Sequence, residues 1–374
     1  MVHSNQTKIF GSRFSRRSDN TLDLLRGIAV LDMVLVHFSI YFTGYLNKIF
    51  LINDIAIDGF ILISGYTIGN FLLPVLKNNF SLGFNKILIR IFKISLIHLF
   101  LVATVGIFQF LTQNPTAEIY SVLNFFFKTL FSINQIGLFH ILPIFIKLYC
   151  LSTIILVLII NRLSVIVVLF SALCFIIGLK NPFFFTIGSP AIFPIALWQA
   201  YFIIGIFLGK HGLFTNTKLI RSNLFVLGMV FLTIVSFTIR NAAFISTAFQ
   251  ENLYSIGLAY SKFPLNISGL IFGVSVWVLI AILHIYFFDY IHNSFYFTFL
   301  CSLGRNALFA FFTHIFLAKI IEILLHVSPT NIIFAYIIIA INIFLFVFIV
   351  PIIDRYLSMS RDNVPFNFFV YIFS

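Results

Sequence analysis

Apolar residues run along this chain in long blocks broken by short polar joints. A helix needs about 20 apolar residues to cross a hydrocarbon layer roughly 30 Å thick. Blocks near 24–44, 55–76, 87–111, 139–160, 164–180, 192–210, 220–239, 265–287, 303–325 and 332–353 meet or approach that length. Only helices or closed barrels satisfy their backbone polar groups inside lipid, and blocks this long fit helices. The pattern therefore predicts an all-α protein, a polytopic transmembrane helix bundle of about ten spans. The stretch 119–132 breaks the rhythm: it is too short to cross and carries Lys128, so it reads as an interfacial or re-entrant element.

Composition supports this reading. Of the 374 residues, 61% are hydrophobic and 9% charged, far too few charges to cover a water-facing surface. The 52 phenylalanines read as lipid-facing and interhelical filling. Mean hydropathy is +1.09. The first 20 residues are polar and basic and precede a long apolar block without a small-residue cleavage site, so that block reads as a retained span. A basic tail (1–20), a transmembrane domain (21–354) and a short C-terminal tail (355–374) make up the expected organisation.

The net charge of +12 would suggest nucleic acid on a soluble protein. Here the basic residues sit in short joints, where membrane topology explains them better. With both termini in the cytoplasm, the inner joints hold Lys8, Arg13, Arg16, Arg17, Lys77, Lys86, Arg90, Lys93, Arg162, Lys210, Lys218, Arg221, Arg355 and Arg361. The outer ones hold Lys48, Lys128, Lys180, Arg240 and Lys262. That split obeys the positive-inside rule. Cys150, Cys174 and Cys301 lie in or beside apolar segments without metal-ligand spacing, so neither a disulfide framework nor a metal site is expected. P-loop, HExxH, GxSxG and CxxC patterns are absent from the sequence.

Ionisable groups inside spans are costly and point to function. Arg26 and His37 are eleven residues apart in the first block, with Asp23 near the same stripe. That spacing places both on one helix face, roughly 16 Å apart along the axis. Arginine at a membrane mouth suits phosphate, and a deeper imidazole suits general-base work. In the second block Asp58 lies near the outer end, and Ser64 and Gly65 allow close helix packing near the depth of His37. Lys86, Arg90 and Lys93, followed by His98, open the third block and could receive an anionic cytoplasmic ligand. His140, Lys147, Tyr149, Gln199, Arg305 and His314 add polar groups to later apolar runs and suggest a polar interior. A transporter or flippase for an anionic metabolite would also use such an interior, although no repeat divides the chain into related halves.

Five blocks, in order, resemble the OpgC family, succinyltransferases of osmoregulated periplasmic glucans within the membrane acyltransferase type 3 superfamily. They are LDLLRGIAVLDMVLVHF (22–38), DGFILISGYTIG (58–69), HILPIFIKLYCLS (140–152), PIALWQAYFIIGIFLGKHG (194–212) and LGRNALFAFFTHIF (303–316). His140 stands where the family often has an acid, and Lys93 where the superfamily has a second arginine. The resemblance implies an acyltransferase of the bacterial inner membrane. Acyl-CoA would be the cytoplasmic donor, a succinyl or acetyl group the cargo, and an envelope or periplasmic glycan hydroxyl the acceptor. The implied partners are the bilayer and that glycan, with no nucleic acid and no metal. Arg26, Arg90, Lys93 and Lys86 would hold the CoA phosphates. His37 would take the hydroxyl proton or carry the acyl group. Asp23 would orient Arg26, Ser64 would line the acyl channel, and Arg305 and His314 would be polar residues of the cavity.

Overall fold

A computed structural model describes residues 20–36, 55–114, 116, 118–130, 141–182, 194–214, 220, 222–242, 246–255, 265–324, 340–341 and 344–353. Among these residues every regular element is helical and no strand occurs. Helix α1 covers 20–36. It is followed by α2 (Ala56–Asn78) and by α3 (Phe80–Gly106, extended by Ile107–Gln113). Next come α4 (Ile119–Leu130), α5 (Ile141–Ile160), α6 (Ser164–Lys180) and α7 (Ile195–Lys210). The rest are α8 (Asn223–Arg240), α9 (Thr247–Ser255), α10 (Ile267–Ile291), α11 (Phe295–Arg305) and α12 (Ala307–Leu324).

Among the described residues, five helices are long and apolar enough to cross a bilayer, namely α2, α3, α5, α8 and α10. A sixth span is added if α11 and α12 count as one. The protein is therefore an all-helical membrane bundle. Of the expected block 332–353, residues 340–341 and 344–353 are described and helical, while 332–339 and 342–343 lie outside the described residues, as do 37–44 of the first block and nearly all of both tails.

Helices α2 and α7 form the centre, joined by four glycines at four-residue spacing. A Cβ on Gly65 or Gly69 would fall on the carbonyl oxygen of Phe202 or Ile206. One on Gly205 or Gly209 would fall on that of Leu62 or Tyr66. Backbone therefore meets backbone, the close approach that small residues permit in membranes. The expectation of tight packing at Ser64–Gly65 is met, with Gly65 as the contact. Tyr149, Leu197, Trp198, Tyr201 and Phe202 fill the surrounding core, while α6 and α8 expose Val165, Leu169, Leu224 and Phe231 on the rim.

Two expected boundaries move. The joint expected between 76 and 87 shrinks to Asn79, because α2 runs to Asn78 and α3 starts at Phe80. Asn79 caps the new helix, its Oδ1 accepting from the Leu82 N–H at 3.0 Å. Just upstream, Pro74 cannot donate to the Asn70 carbonyl, and the chain absorbs this as a π-turn over Ile68–Leu72. The block 303–325 starts later than expected: α11 and α12 meet at 81° after Arg305, and α12 fills the rest of the block. Gly304 pins the end of α11 onto α1, where a Cβ would strike the Asp23 carbonyl. The stretch 119–132, expected as an interfacial or re-entrant element, contains the short helix α4.

Candidate functional site

The described polar centre lies where α1, α2 and α11 meet. Gly27 and Gly304 bring α1 and α11 into backbone contact: a Cβ on Gly27 would fall on the Leu300 carbonyl. The approach places Arg305, the residue after Gly304, beside α1, with its Nη1 3.7 Å from Asp23 Oδ2. The other oxygen, Asp23 Oδ1, accepts from Arg26 Nη1 at 3.3 Å. Arg26 Nη2 donates to Thr67 Oγ1 of α2 at 2.7 Å, and that hydroxyl donates in turn to the Ile63 carbonyl at 2.8 Å. Asp23 thus receives two guanidinium groups, and Thr67 fixes the direction of one. The Arg26 side chain stays 25% exposed and that of Arg305 41%, so both can still meet a ligand. Charge-assisted bonds of this kind are short and directional.

The expectation that Asp23 orients Arg26 agrees with this geometry. Arg305 proves closer to Arg26 than its place in the sequence suggested. Thr67 was missed, because a lone threonine inside an apolar run carries no signal. Asp32 was also missed, although an acid inside a span is itself a signal. Its Oδ2 accepts from the Ile55 N–H at 2.9 Å, tying α1 to the start of α2. Nearby, Trp277 Nε1 donates to the Ile55 carbonyl at 2.9 Å, and Asp58 is buried in the first turn of α2. His37 and His140 lie outside the described residues.

The three cations of α3 separate. Lys86 is exposed and Lys93 half-buried. Arg90 turns inward, donating from Nη1 to the Tyr149 hydroxyl at 3.0 Å. The Tyr149 ring packs edge-on to Phe202, whose carbonyl meets Gly65. Gly65 and Thr67 lie about 200° apart around α2. Arg26 thus bonds to α2 and Arg90 to α5, where the sequence had suggested a single grip.

Elsewhere the expected polar interior divides into structural and exposed parts. Gln199 is buried and joins α7 to α6: its Oε1 accepts from Ser171 Oγ at 2.9 Å, and its Nε2 donates to the Ser171 carbonyl at 3.0 Å. His314 is buried, with Nδ1 3.2 Å from the Ala310 carbonyl. Lys147 is exposed on α5, outside the interior expected for it. Its long stem lets an amine in an apolar run face outward. Ser64 is half-buried beside Gly65.

The class of protein is a helical membrane bundle with two arginines paired to one aspartate where α1, α2 and α11 meet. Within that class, the family model described as OpgC protein matches residues 18–358, nearly the whole chain, and the chain belongs to that family. No curated protein and no solved structure is similar enough to count as a match.

Proposed function

We propose that this protein is a membrane O-acyltransferase. It takes a succinyl or acetyl group from cytoplasmic acyl-CoA and passes it to a hydroxyl of an envelope or periplasmic glycan. Membership of the OpgC family supports the transferase class. The observation that carries the mechanism is Arg26, braced by Asp23 and Thr67 eleven residues before His37 in the same apolar block. In this reading the bundle has ten spans in the bacterial inner membrane, with both termini in the cytoplasm.

Arg26 receives the CoA phosphates, while Arg90, bonded to Tyr149 of α5, is held apart from it. Guanidinium groups suit this role because they bind phosphate oxygens in pairs. The glycan hydroxyl oxygen attacks the thioester carbonyl while His37 accepts its proton. The carbon–sulfur bond breaks, and the CoA thiolate leaves and takes a proton. Such a general base contributes about 10²–10⁴-fold. His37→Ala should therefore reduce glycan acylation at least about a hundredfold while the protein still accumulates in the membrane. Mass spectrometry of envelope glycans reads this directly, and wild-type acylation in that variant overturns the mechanism.

A further inference from the structure

The turn between α11 and α12 carries a cation that the acyl-transfer mechanism leaves without a task. Helix α11 ends at Arg305, and the chain leaves it at 81°. Asn306 makes the turn. Its N–H and its Nδ2 both donate to the Ser302 carbonyl, at 3.2 and 2.9 Å, and its own carbonyl accepts from the Ala310 N–H at 2.9 Å to begin α12. Asn306 is buried, so the turn is anchored in the bundle. The helix dipole alone favours a cation in the last turn of a helix. Arg305 does more than that, because its guanidinium reaches across to Asp23 of α1.

Its level on α1 is fixed by Gly304, one residue earlier, which lies against the Asp23 carbonyl. Asp23 is three residues, about 4.5 Å, nearer the start of α1 than Arg26. The order along α1 is therefore Arg305 beside Asp23, then Arg26, and then, further on in the sequence, His37. Exposure follows the same order, at 41% for the Arg305 side chain and 25% for that of Arg26. In the ten-span reading the start of α1 is its cytoplasmic end, so Arg305 stands at the rim and Arg26 behind it.

The two guanidinium groups are also held differently. Arg26 donates to Thr67 at 2.7 Å and to Asp23 at 3.3 Å, which sets its direction. Arg305 meets Asp23 at 3.7 Å, a charge contact longer than a hydrogen bond. It can turn to a ligand without giving up a hydrogen bond to Asp23. Two guanidinium groups and one carboxylate carry one net positive charge between them, and so attract an anion.

A coenzyme A thioester offers two kinds of phosphate. Its pyrophosphate lies between the pantetheine arm and the ribose, with one negative charge on each phosphoryl group. Its ribose 3′-phosphate is a monoester at the end remote from the thioester, with close to two charges at neutral pH. With the thioester directed along α1 toward His37, the pyrophosphate falls to Arg26 and the remote monoester to the rim, where Arg305 stands.

We propose that Arg305 binds the ribose 3′-phosphate of the acyl donor and so makes the protein select coenzyme A thioesters over thioesters that lack this group. The proposal rests on the acyl-transfer reading and adds to it the residue that recognises the far end of the donor.

The test uses membranes holding the full-length protein, a glucose oligosaccharide as acceptor, and succinyl and acetyl donors, each as the CoA and the dephospho-CoA thioester. In the wild type kcat/KM should favour the CoA form by roughly tenfold or more, the scale of a hydrogen bond to a charged group. In Arg305→Gln that ratio should fall close to one, through a rise in the KM of the CoA form. Arg305→Lys keeps the charge without the fork and should retain part of the preference. A wild type that does not distinguish the two forms overturns the proposal, as does full preference in Arg305→Gln. Equal loss with both forms in Arg305→Gln and Arg305→Lys makes Arg305 a brace for Asp23 and overturns it too. Binding is read separately on the purified protein in detergent, with adenosine 3′,5′-bisphosphate and adenosine 5′-monophosphate. The bisphosphate should bind the wild type roughly tenfold more tightly than the monophosphate and lose that advantage in Arg305→Gln; equal affinities in the wild type overturn the assignment. If the wild type transfers no acyl group from any donor, the acyl-transfer reading falls, and the nucleotide comparison alone decides the role of Arg305.

Discussion

Thr67 decides how well Arg26 is aimed. Its hydroxyl accepts from Nη2 and is itself held by the Ile63 carbonyl, so the guanidinium has one preferred direction. A hydrogen bond to a charged group is worth about 1.5–3 kcal/mol. Thr67→Val keeps the shape and removes that bond. The donor KM should rise about tenfold or more, while Thr67→Ser stays near wild type; steady-state kinetics with acyl-CoA separates the two. Arg26→Lys should behave more like Arg26→Ala than like wild type, because an ammonium cannot serve Asp23 and Thr67 as a planar fork does. Asp23 and Arg26 were legible in the sequence because three residues on a helix share a face. Thr67 was not, and Arg305 was legible only as a polar residue of the interior, because the roles of both depend on how α2 and α11 pack against α1. Lys147 shows the opposite failure, since a lysine in an apolar block reads alike whether it points in or out.

At the scale of elements, glycine contacts set the geometry. Gly65 and Gly205 meet backbone across α2 and α7, whereas a Cβ on Gly228 of α8 would meet nothing within 4 Å. Gly65→Ala should therefore push the central helices apart and cost about 1–3 kcal/mol. Gly228→Ala should cost nothing and can add up to about 1 kcal/mol through helix propensity. Thermal unfolding in detergent, run on both variants, reads the contrast; equal midpoints would contradict the packing. Gly304→Ala should cost stability as Gly65→Ala does and should also lower activity, because its Cβ would strike the Asp23 carbonyl and displace Arg305 from Asp23. The sequence announced Gly65 through the small pair Ser64–Gly65 and the helices through their apolar runs. It did not announce the break after Arg305, since LGRNALFAFFTHIF stays apolar through a bend of 81°. Hydropathy measures whether a segment tolerates lipid and is silent on whether it stays straight.

For the whole molecule, orientation is the property on which the direction of transfer depends. If α4 is no crossing of its own, the polypeptide passes from the outer to the inner side once between the end of α3 and the start of α6. Later helices then keep the alternation expected from their charges. Lys77 and Arg162 would face the cytoplasm, with Arg162 in the turn that ends α5, where its backbone adopts φ 63°. Thr116, exposed in the joint between α3 and α4, would face outward. In a background without the three native cysteines, Thr116→Cys should label from the outside of intact cells. Lys77→Cys and Asn161→Cys should label only after the membrane is opened. If α4 were a full crossing in its own right, Asn161→Cys would label from outside while Lys77→Cys did not. That outcome would reverse every helix after α4 and would set Lys77 at the end of α2 and Lys210 at the end of α7 on opposite sides of the membrane. The packing of Gly69 against Ile206 and of Gly209 against Tyr66 opposes such a reversal, because α2 and α7 must end together where Lys77 and Lys210 lie. Shared inner ends for α2, α3 and α7 are what an enzyme drawing on a cytoplasmic anion requires, and the labelling pattern tests that requirement without a substrate.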